Sequence, residues 1–491
     1  MRNSLLLVLI GATALAGCTT VGPDYRGAPP AAGTASARGA FLRGGADAEA
    51  RAPSARWWEA LGDPVLDTLI DKALADSPDV AAANARIAQA RAGLAANRTA
   101  LLPTVGVSAA APYINIPGGL LSTGNQNGSQ SGGRDEINVY NVGFDASWEL
   151  DLFGGTRRKI EAASARAEAA EASAADAQVT LSAEIARAYV ALRGRQAVIA
   201  LMDRQDAVDA DLVALAQQRL QAGTAPEQPL DQLRAQRAQA QGDRAKAQAD
   251  AVVLMDQIAV LTGQEPGALE ATLGPVAPVP MPPASVAVGD PARLLRERPD
   301  VRAAERQLAA ASADIGVQVA NRFPKITFTG LLGIGGNHIG DIFDPASIIG
   351  LALPQIKWSL FDGGRTAAQI RSAKGAYAEA EARYRGAVLG ALQDAEGALT
   401  RFGGQRITLG KALEGEAQAA RAVVLQRQRA SAGTASRSDA LTAERQRLQL
   451  AMAAAGAQVE LTSGFVAVEK ALGLGWNAAP QTGQEAGEAR K

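Results

Sequence analysis

Cys18 is the one cysteine of this 491-residue chain, and it closes the tetrad Leu15-Ala16-Gly17-Cys18 behind a basic start at Arg2 and an apolar run from Leu5 to Ile10. Residues of these types at this spacing point to acylation. A signal peptide, residues 1–17, is removed before the cysteine, whose thiol and new amino terminus then receive acyl chains. The apolar run is too short to span a bilayer as a helix. A single cysteine also rules out an internal disulfide, so the exported chain must be held by packing or by assembly.

The other residues capable of chemistry do not gather into a catalytic set. His338 is the one histidine, and without a second His or Cys it has no companions for a metal site. The glycines around it, Gly333, Gly335, Gly336 and Gly340, match neither the Gly-Lys-Ser/Thr nor the G-x-G-x-x-G phosphate-binding pattern. The carboxylates Asp145, Glu149 and Asp151 alternate with apolar residues, which fits the wet face of a strand better than an acid and base pair. No enzyme, no metal and no cofactor other than the lipid on Cys18 is expected. The 49 basic and 50 acidic residues leave a net charge of −1, which gives no reason to expect nucleic acid as a partner.

The elements that must position these residues come in two copies. Pro78 to Ser108 aligns without a gap on Pro299 to Thr329, 221 positions later, and each copy includes a proline that stops a helical run, Pro103 or Pro324. Further on, Trp148, Leu152, Phe153 and Gly154-Gly155 answer to Trp358, Leu360, Phe361 and Gly363-Gly364. Ala222-Gly223-Thr224-Ala225 likewise answers to Ala432-Gly433-Thr434-Ala435. The repeats are bounded at residues 64–263 and 290–474. They are flanked by a lipidated tether, 18–63, and a tail, 475–491, and joined by a Pro-rich connector, 264–289.

Each repeat changes period at its proline. Strands are expected at about 103–115, 136–153, 324–335 and 347–361, where apolar and polar residues alternate, with a bulge at Pro354 where the alternation shifts phase. Four such strands can cross a membrane but cannot close a barrel, and an open edge cannot sit in lipid. Two chains would give a filled barrel of eight strands, whereas three give twelve and leave a lumen for the polar face, with Asp145, Glu149 and Asp151 lining it. After Gly155 and Gly364 the pattern predicts helices of about 66 residues, near 100 Å each. Each is followed, past its Gly-Thr turn, by a helix of about 36 residues, and coiled-coil spacing runs through the long helices at Leu181, Ile185, Ala188 and Leu192 and at Val388, Leu392, Ala395 and Leu399. Glycine ends a helix readily because it tolerates left-handed dihedrals.

Thr19 after the cysteine resembles lipoproteins sorted to the bacterial outer membrane. Val21-Gly22-Pro23-Asp24-Tyr25, Trp57-Trp58 with Asp63-Pro64-Val65-Leu66-Asp67, Trp148-Glu149-Leu150-Asp151-Leu152-Phe153-Gly154 and Leu360-Phe361-Asp362-Gly363-Gly364 carry a wider likeness over nearly the whole mature chain. The sequence resembles the outer-membrane factors, TolC-like efflux channels, and most closely their lipidated, NodT-type branch that works with RND pumps. The resemblance implies a mainly α protein with a membrane β-barrel. In it, a homotrimer forms a 12-strand outer-membrane β-barrel continued by a long periplasmic α-helical barrel with a mixed equatorial belt.

It further implies an exit channel for small molecules, drugs among them, delivered by a periplasmic adaptor and an inner-membrane RND transporter. A type I protein-secretion or metal-efflux outlet and a non-conducting periplasmic scaffold are the alternatives. On this likeness Arg219, Leu220, Ala222, Gly223, Thr224, Ala432, Gly433 and Thr434 form the adaptor-docking tips. Asp439 falls where family members carry a gate aspartate. Thr442 and Pro229 replace family carboxylates, so Glu227 and Arg437 are expected to pair across the tips instead.

Overall fold

The computed structural model describes residues 20–45, 48–49, 51–117 and 134–476. Cys18, most of the outer loop Pro117 to Gly133, and the tail beyond 476 lie outside the described residues. Seven long helices carry the chain: α1 (Pro64–Asp76), α2 (Pro78–Thr99), α3 (Gly155–Gln221), α4 (Gln228–Leu261), α5 (Pro299–Ala320), α6 (Arg365–Ser431) and α7 (Arg437–Ala471). The strands are β1 (Thr104–Ala110), β2 (Tyr113–Pro117), β3 (Arg134–Asn138), β4 (Tyr140–Leu150), β5 (Lys325–Gly336) and β6 (Ile348–Lys357). Both long helices, α3 and α6, have 67 residues.

Two compact units divide these elements, and each draws on both repeats. The first holds residues up to Ala28, Ala88–Glu168 and Arg306–Ala382, and contains these six strands, whereas a two-residue parallel pair, Ala48–Glu49 with Val286–Ala287, falls in the second. Four strands form one antiparallel sheet in the order β1-β4-β5-β6, and β2 and β3 form a separate pair. The strand expected over about 103–115 therefore breaks after Ala110, where Pro112 has no N–H to continue a ladder but accepts from Val139 N at 3.2 Å. The bulge expected at Pro354 is absent. Ten consecutive pairs run from Lys325 opposite Lys357 to Ile334 opposite Ile348, with Pro354 opposite Phe328. β6 is an edge strand of this sheet, where a missing N–H is tolerated. The phase shift seen in sequence is a change of composition, since Leu351 and Leu353 share a face with Gln355 and Lys357.

A strap precedes the sheet. Val21 N donates to Phe153 O at 3.1 Å, and the buried Arg158 of α3 donates to Val21 O and to Asp24 Oδ1, at 3.1 and 2.6 Å. Gly22, at φ +94°, lies against Gly316 of α5 so closely that a Cβ would fall 2.4 Å from its Cα. The Val-Gly-Pro-Asp-Tyr motif is thus a fitted backbone path over α3 and α5, completed by the Arg306 guanidinium over the Tyr25 ring.

The second unit takes residues Pro29–Ile87, Ala169–Glu305 and everything from Arg383 onward. Its core packs Trp57, Trp58, Leu66 and Ile70 against Ile185, Tyr189 and Leu192 of α3, Ile258 of α4 and Phe465 of α7. Asp63 caps α1 by accepting from Val65 N and Leu66 N and also accepts from the Tyr189 hydroxyl at 2.7 Å. Burial, then that carboxylate, pushes the Tyr189 hydroxyl up to about 12. The connector is clipped at three levels. Arg193 and Gln196 of α3 donate to Leu273 O, Gln458 and Thr462 of α7 to Val279 O and Pro280 O, and Arg406 of α6 to Ala284 O.

Candidate functional site

The sheet separates its faces as the alternation requires. Trp148 lies opposite Phe328, Phe144 opposite Val107 and Leu332, and Ala146 opposite Val105, so one face is apolar across three strands. Large side chains on that face, including Val105, Val107, Phe144, Phe328, Leu332 and Ile356, are exposed in the single chain. The other face carries Asp145 and Glu149. Glu149 meets Lys325 at 3.5 Å, and Asp145 lies opposite Gly106, whose missing Cβ leaves room for the carboxylate oxygens.

Asp151 does not belong to that face, because β4 stops at Leu150. Its carboxylate accepts from Thr156 N and Arg157 N, at 2.9 and 2.8 Å, and caps the start of α3, where four N–H groups lack partners. Asp362 does the same for α6 through Gly364 N and Thr366 N, at 2.9 and 2.8 Å. A second repeated device pins each helix to its strand. The Trp148 indole donates to Leu101 O at 2.9 Å, and the Trp358 indole to Arg322 O at 3.0 Å, at equivalent positions of the two repeats.

Both Gly-Thr turns have one geometry. Gly223 and Gly433 have φ of +67° and +73°, and neither would crowd a Cβ, so backbone conformation alone demands glycine there. Thr224 N donates to Arg219 O and Thr434 N to Arg429 O, each at 2.9 Å, and both threonine hydroxyls donate to the same carbonyls. Leu220 O accepts from Gly223 N at 2.9 Å. Ala222 and Ala432 occupy the last exposed step before each turn.

The helices that leave these turns start differently. Ser436 and Asp439 form a reciprocal capping box at α7: Asp439 N donates to Ser436 Oγ at 3.1 Å, and Ser436 N to Asp439 Oδ2 at 2.9 Å. The contact with Ser436 holds the exposed Asp439 carboxyl below its ordinary range, so it stays charged. Thr442 gives its hydroxyl to Ser438 O within the helix. At α4 Glu227 makes no side-chain cap, and Pro229 occupies the first turn, where its missing N–H costs nothing.

Arg437 does not pair with Glu227. It reaches Asp211 on α3 at 3.5 Å, because its place at the start of α7 sets it beside the last turns of α3.

Pairing by charge is denser above the tips than single residues announce. Arg237 binds Asp206 in bidentate fashion at 2.9 and 3.0 Å between α4 and α3, and the positions 210 later, Arg447 and Glu416, form the same rung between α7 and α6 at 3.8 Å. Arg244 and Asp203 add a rung found in the first pair alone, whereas the second adds Arg427 to Glu444 at 3.3 Å. Arg445 of α7 crosses between pairs, donating to Gln236 at 2.8 Å and lying 3.9 Å from the buried Asp209 of α3. Burial pushes the Asp209 carboxyl up. Glu469, near the end of α7, is fully enclosed with Oε2 unpartnered, and burial pushes it up to about 8. The alanine at the matching position of α4, Ala259, fits the expected core pattern, but nothing in the sequence around Glu469 announced a buried acid.

Comparison with known proteins follows the same division of the chain. Residues 69–264 and 291–474 match the Outer membrane efflux protein family, one segment in each repeat. The pyoverdine export outer membrane protein OpmQ of Pseudomonas aeruginosa is 30% identical over 436 residues, covering 86% of this chain and 87% of its own. OprJ, an outer membrane protein of the same organism, is 31% identical over 396 residues and 78% of each chain. Among solved structures, the outer-membrane channel OprN superposes with a TM-score of 0.81 at 32% identity, over 93% of this chain and all of its own.

Proposed function

The chain belongs to the outer membrane efflux protein family, and on that premise we propose that three copies form one outlet, fed by a periplasmic adaptor and an inner-membrane RND transporter. It is an outer-membrane exit channel for efflux and not an enzyme. The observation that carries the trimeric reading is the sheet: four strands, one apolar face, one polar face with Glu149 and Lys325, and both edges unpaired among the described residues. Lipid cannot satisfy those edges, so copies of the chain must. Twelve strands leave an aqueous lumen that eight would fill.

Small organic molecules are the cargo class this reading favours, in line with the pyoverdine exporter among the relatives. The turns at Gly223 and Gly433 are the docking points for the adaptor. They are exposed and rigidly built, and they present Arg219, Leu220, Ala432 and Thr434 at the ends of the long helices.

Acylation at Cys18 fits the strap. Thr20, two residues after the cysteine, lies against Gly154, just past the end of β4, so the described start of the chain runs beside the sheet. On this reading the protein sits in the outer membrane and reaches into the periplasm, with the acylated Cys18 as an added lipid anchor.

The test is conductance. Purified full-length protein inserted in a planar bilayer should give discrete channels, and deletion of the gene should sensitise cells to small toxic compounds. A trimer that inserts but never conducts would leave only the scaffold reading.

A further inference from the structure

The two repeats pair their strands in one register, and that equality extends to strands the single chain leaves open. Within the first repeat Thr104 of β1 lies opposite Ser147 of β4; within the second Lys325 of β5 lies opposite Lys357 of β6. Thr104 to Lys325 is 221 positions, the offset of the sequence duplication, and Ser147 to Lys357 is 210, the offset of Trp148 to Trp358. The hairpins are therefore copies to the residue.

A third ladder, β4 with β5, joins the first repeat to the second, with Trp148 opposite Phe328 and Ser147 opposite Thr329. Its counterpart would join a second repeat to a following first repeat. Among the described residues no strand of the same chain supplies it, and β6 and β1 are the two free edges of the sheet.

From this we infer that β6 of one copy pairs with β1 of the next in the β4–β5 register: Trp358 opposite Val107, Lys357 opposite Ser108 and Ile356 opposite Ala109. The inference rests on the channel reading and adds to it the register and the residues of the seam. Three further observations agree. The apolar face stays continuous, because Trp358 and Ile356 meet Val107 and Ala109, as Trp148 meets Phe328. Pro354 falls opposite Ala111, one residue past the end of β1, so its missing N–H interrupts no ladder.

The third is a pair of unmatched side chains. Phe153 stacks on Phe323 with ring centroids 4.6 Å apart inside one chain, and their repeat counterparts, Phe361 and Leu102, are 91% and 63% exposed. Large apolar groups so placed are covered when the copies meet. The seam is not a duplicate in every respect. The ion pair between Glu149 and Lys325 is replaced there by Ser359 and Thr104, so the internal ladder is charged where the seam carries hydroxyls.

Paired cysteines read the register directly. Facing residues of an antiparallel pair have Cα atoms about 4.5 to 5.5 Å apart, within disulfide reach, whereas a shift of two residues moves them to about 8 Å, beyond it. In the full chain with Cys18 retained, the double variant Ser108→Cys with Lys357→Cys should oxidise to covalent dimers and closed trimers on non-reducing gels. It should do so at least about ten-fold more than Ala110→Cys with Lys357→Cys. Each single variant alone reports any linkage through Cys18 and should give no ladder of three.

Stronger linkage in the shifted pair overturns the register, as does failure of both pairs in a protein that still conducts as a trimer. Either result leaves the channel reading intact. Loss of both the oligomer and conductance in the unmodified protein overturns the two together.

Discussion

The long helices α3 and α6 are equal in length and occupy equivalent places in the two repeats, yet they live in different surroundings. Along its first part α3 buries Ala162, Ala163, Ala165, Ala167 and Ala169, and its side chains Arg166 and Glu168 pair with Asp314 and Arg306 of α5. Over the corresponding stretch α6 buries Ile370 alone before Val388. The same contrast holds between α5, with Leu308, Ala309, Ala310 and Ala313 buried, and α2, which buries only Val80 and Ala83 at its start. In a duplicated chain each unit expects neighbours on both sides, and a single copy supplies them only where one repeat meets the next. The bare faces of α2 and α6 are what a neighbouring copy would cover.

The largest effect that separates an internal contact from a seam contact is at Gly143. A Cβ there would lie 2.5 Å from Gly333 Cα and 2.7 Å from Leu332 O, backbone atoms that cannot retreat. Gly143→Val should cut the amount of assembled protein in outer-membrane fractions by about ten-fold or more, because overpacking here breaks the β4–β5 ladder itself. Leu353→Val, at the counterpart position on the free edge β6, should leave assembly within about two-fold on the same immunoblot. Equal losses would erase the contrast between the internal ladder and the edge.

Glu469 and Ala259 give the next comparison, since the two repeats place an acid and an alanine at one buried position. Because the folded pKa of Glu469 is raised to about 8, the folded state binds a proton that the unfolded chain releases near 4.5. Its contribution is therefore most favourable below that lower value, declines as pH rises towards 8, and is flat beyond. Glu469→Ala should raise the melting temperature at pH 8 by about 4 °C or more and flatten its decline between pH 5 and 8, followed by scanning calorimetry. A slope unchanged in the variant would mean the acid is not the titrating group.

Smaller effects are expected at the caps. Asp151→Ala should cost about 1 kcal/mol in chemical unfolding, as a lost cap does, and Asp362→Ala should destabilise in the same direction. Asp151→Ala should cost the more, because Asp151 also holds the Arg157 guanidinium at 3.2 Å. The smallest is Arg437→Glu. Its pair with Asp211 is largely exposed, so stability should change by under about 0.5 kcal/mol while single-channel conductance and drug permeability rise as the closed end loosens. Unchanged conductance and permeability would remove Arg437 from the gate.

Much of this protein was legible as sequence. Local patterns dictate local structure, so the helix ends at Gln221 and near Ser431, the turns at Gly223 and Gly433 and the strand alternation could be read from spacing, glycine and proline alone. The duplication belongs to the same class, because it compares the chain only with itself.

What spacing cannot carry is which of several similar groups meets which across distance. Alternation assigned Asp151 to a strand face, but the unpaired N–H groups at the start of α3 claim it. Phase assigned a bulge to Pro354, but pairing with β5 holds β6 straight. Arg437 was expected to meet Glu227, but the approach of α7 to α3 gave it Asp211. Burial of Asp209 and Glu469 likewise depends on neighbours far away in the chain. The sequence by itself determined the repeating unit and its local geometry, since these follow from contacts a few residues apart. Only the tertiary structure decided the partners of charges and edges, because their energies depend on distances and solvent exclusion that exist only once remote segments have packed.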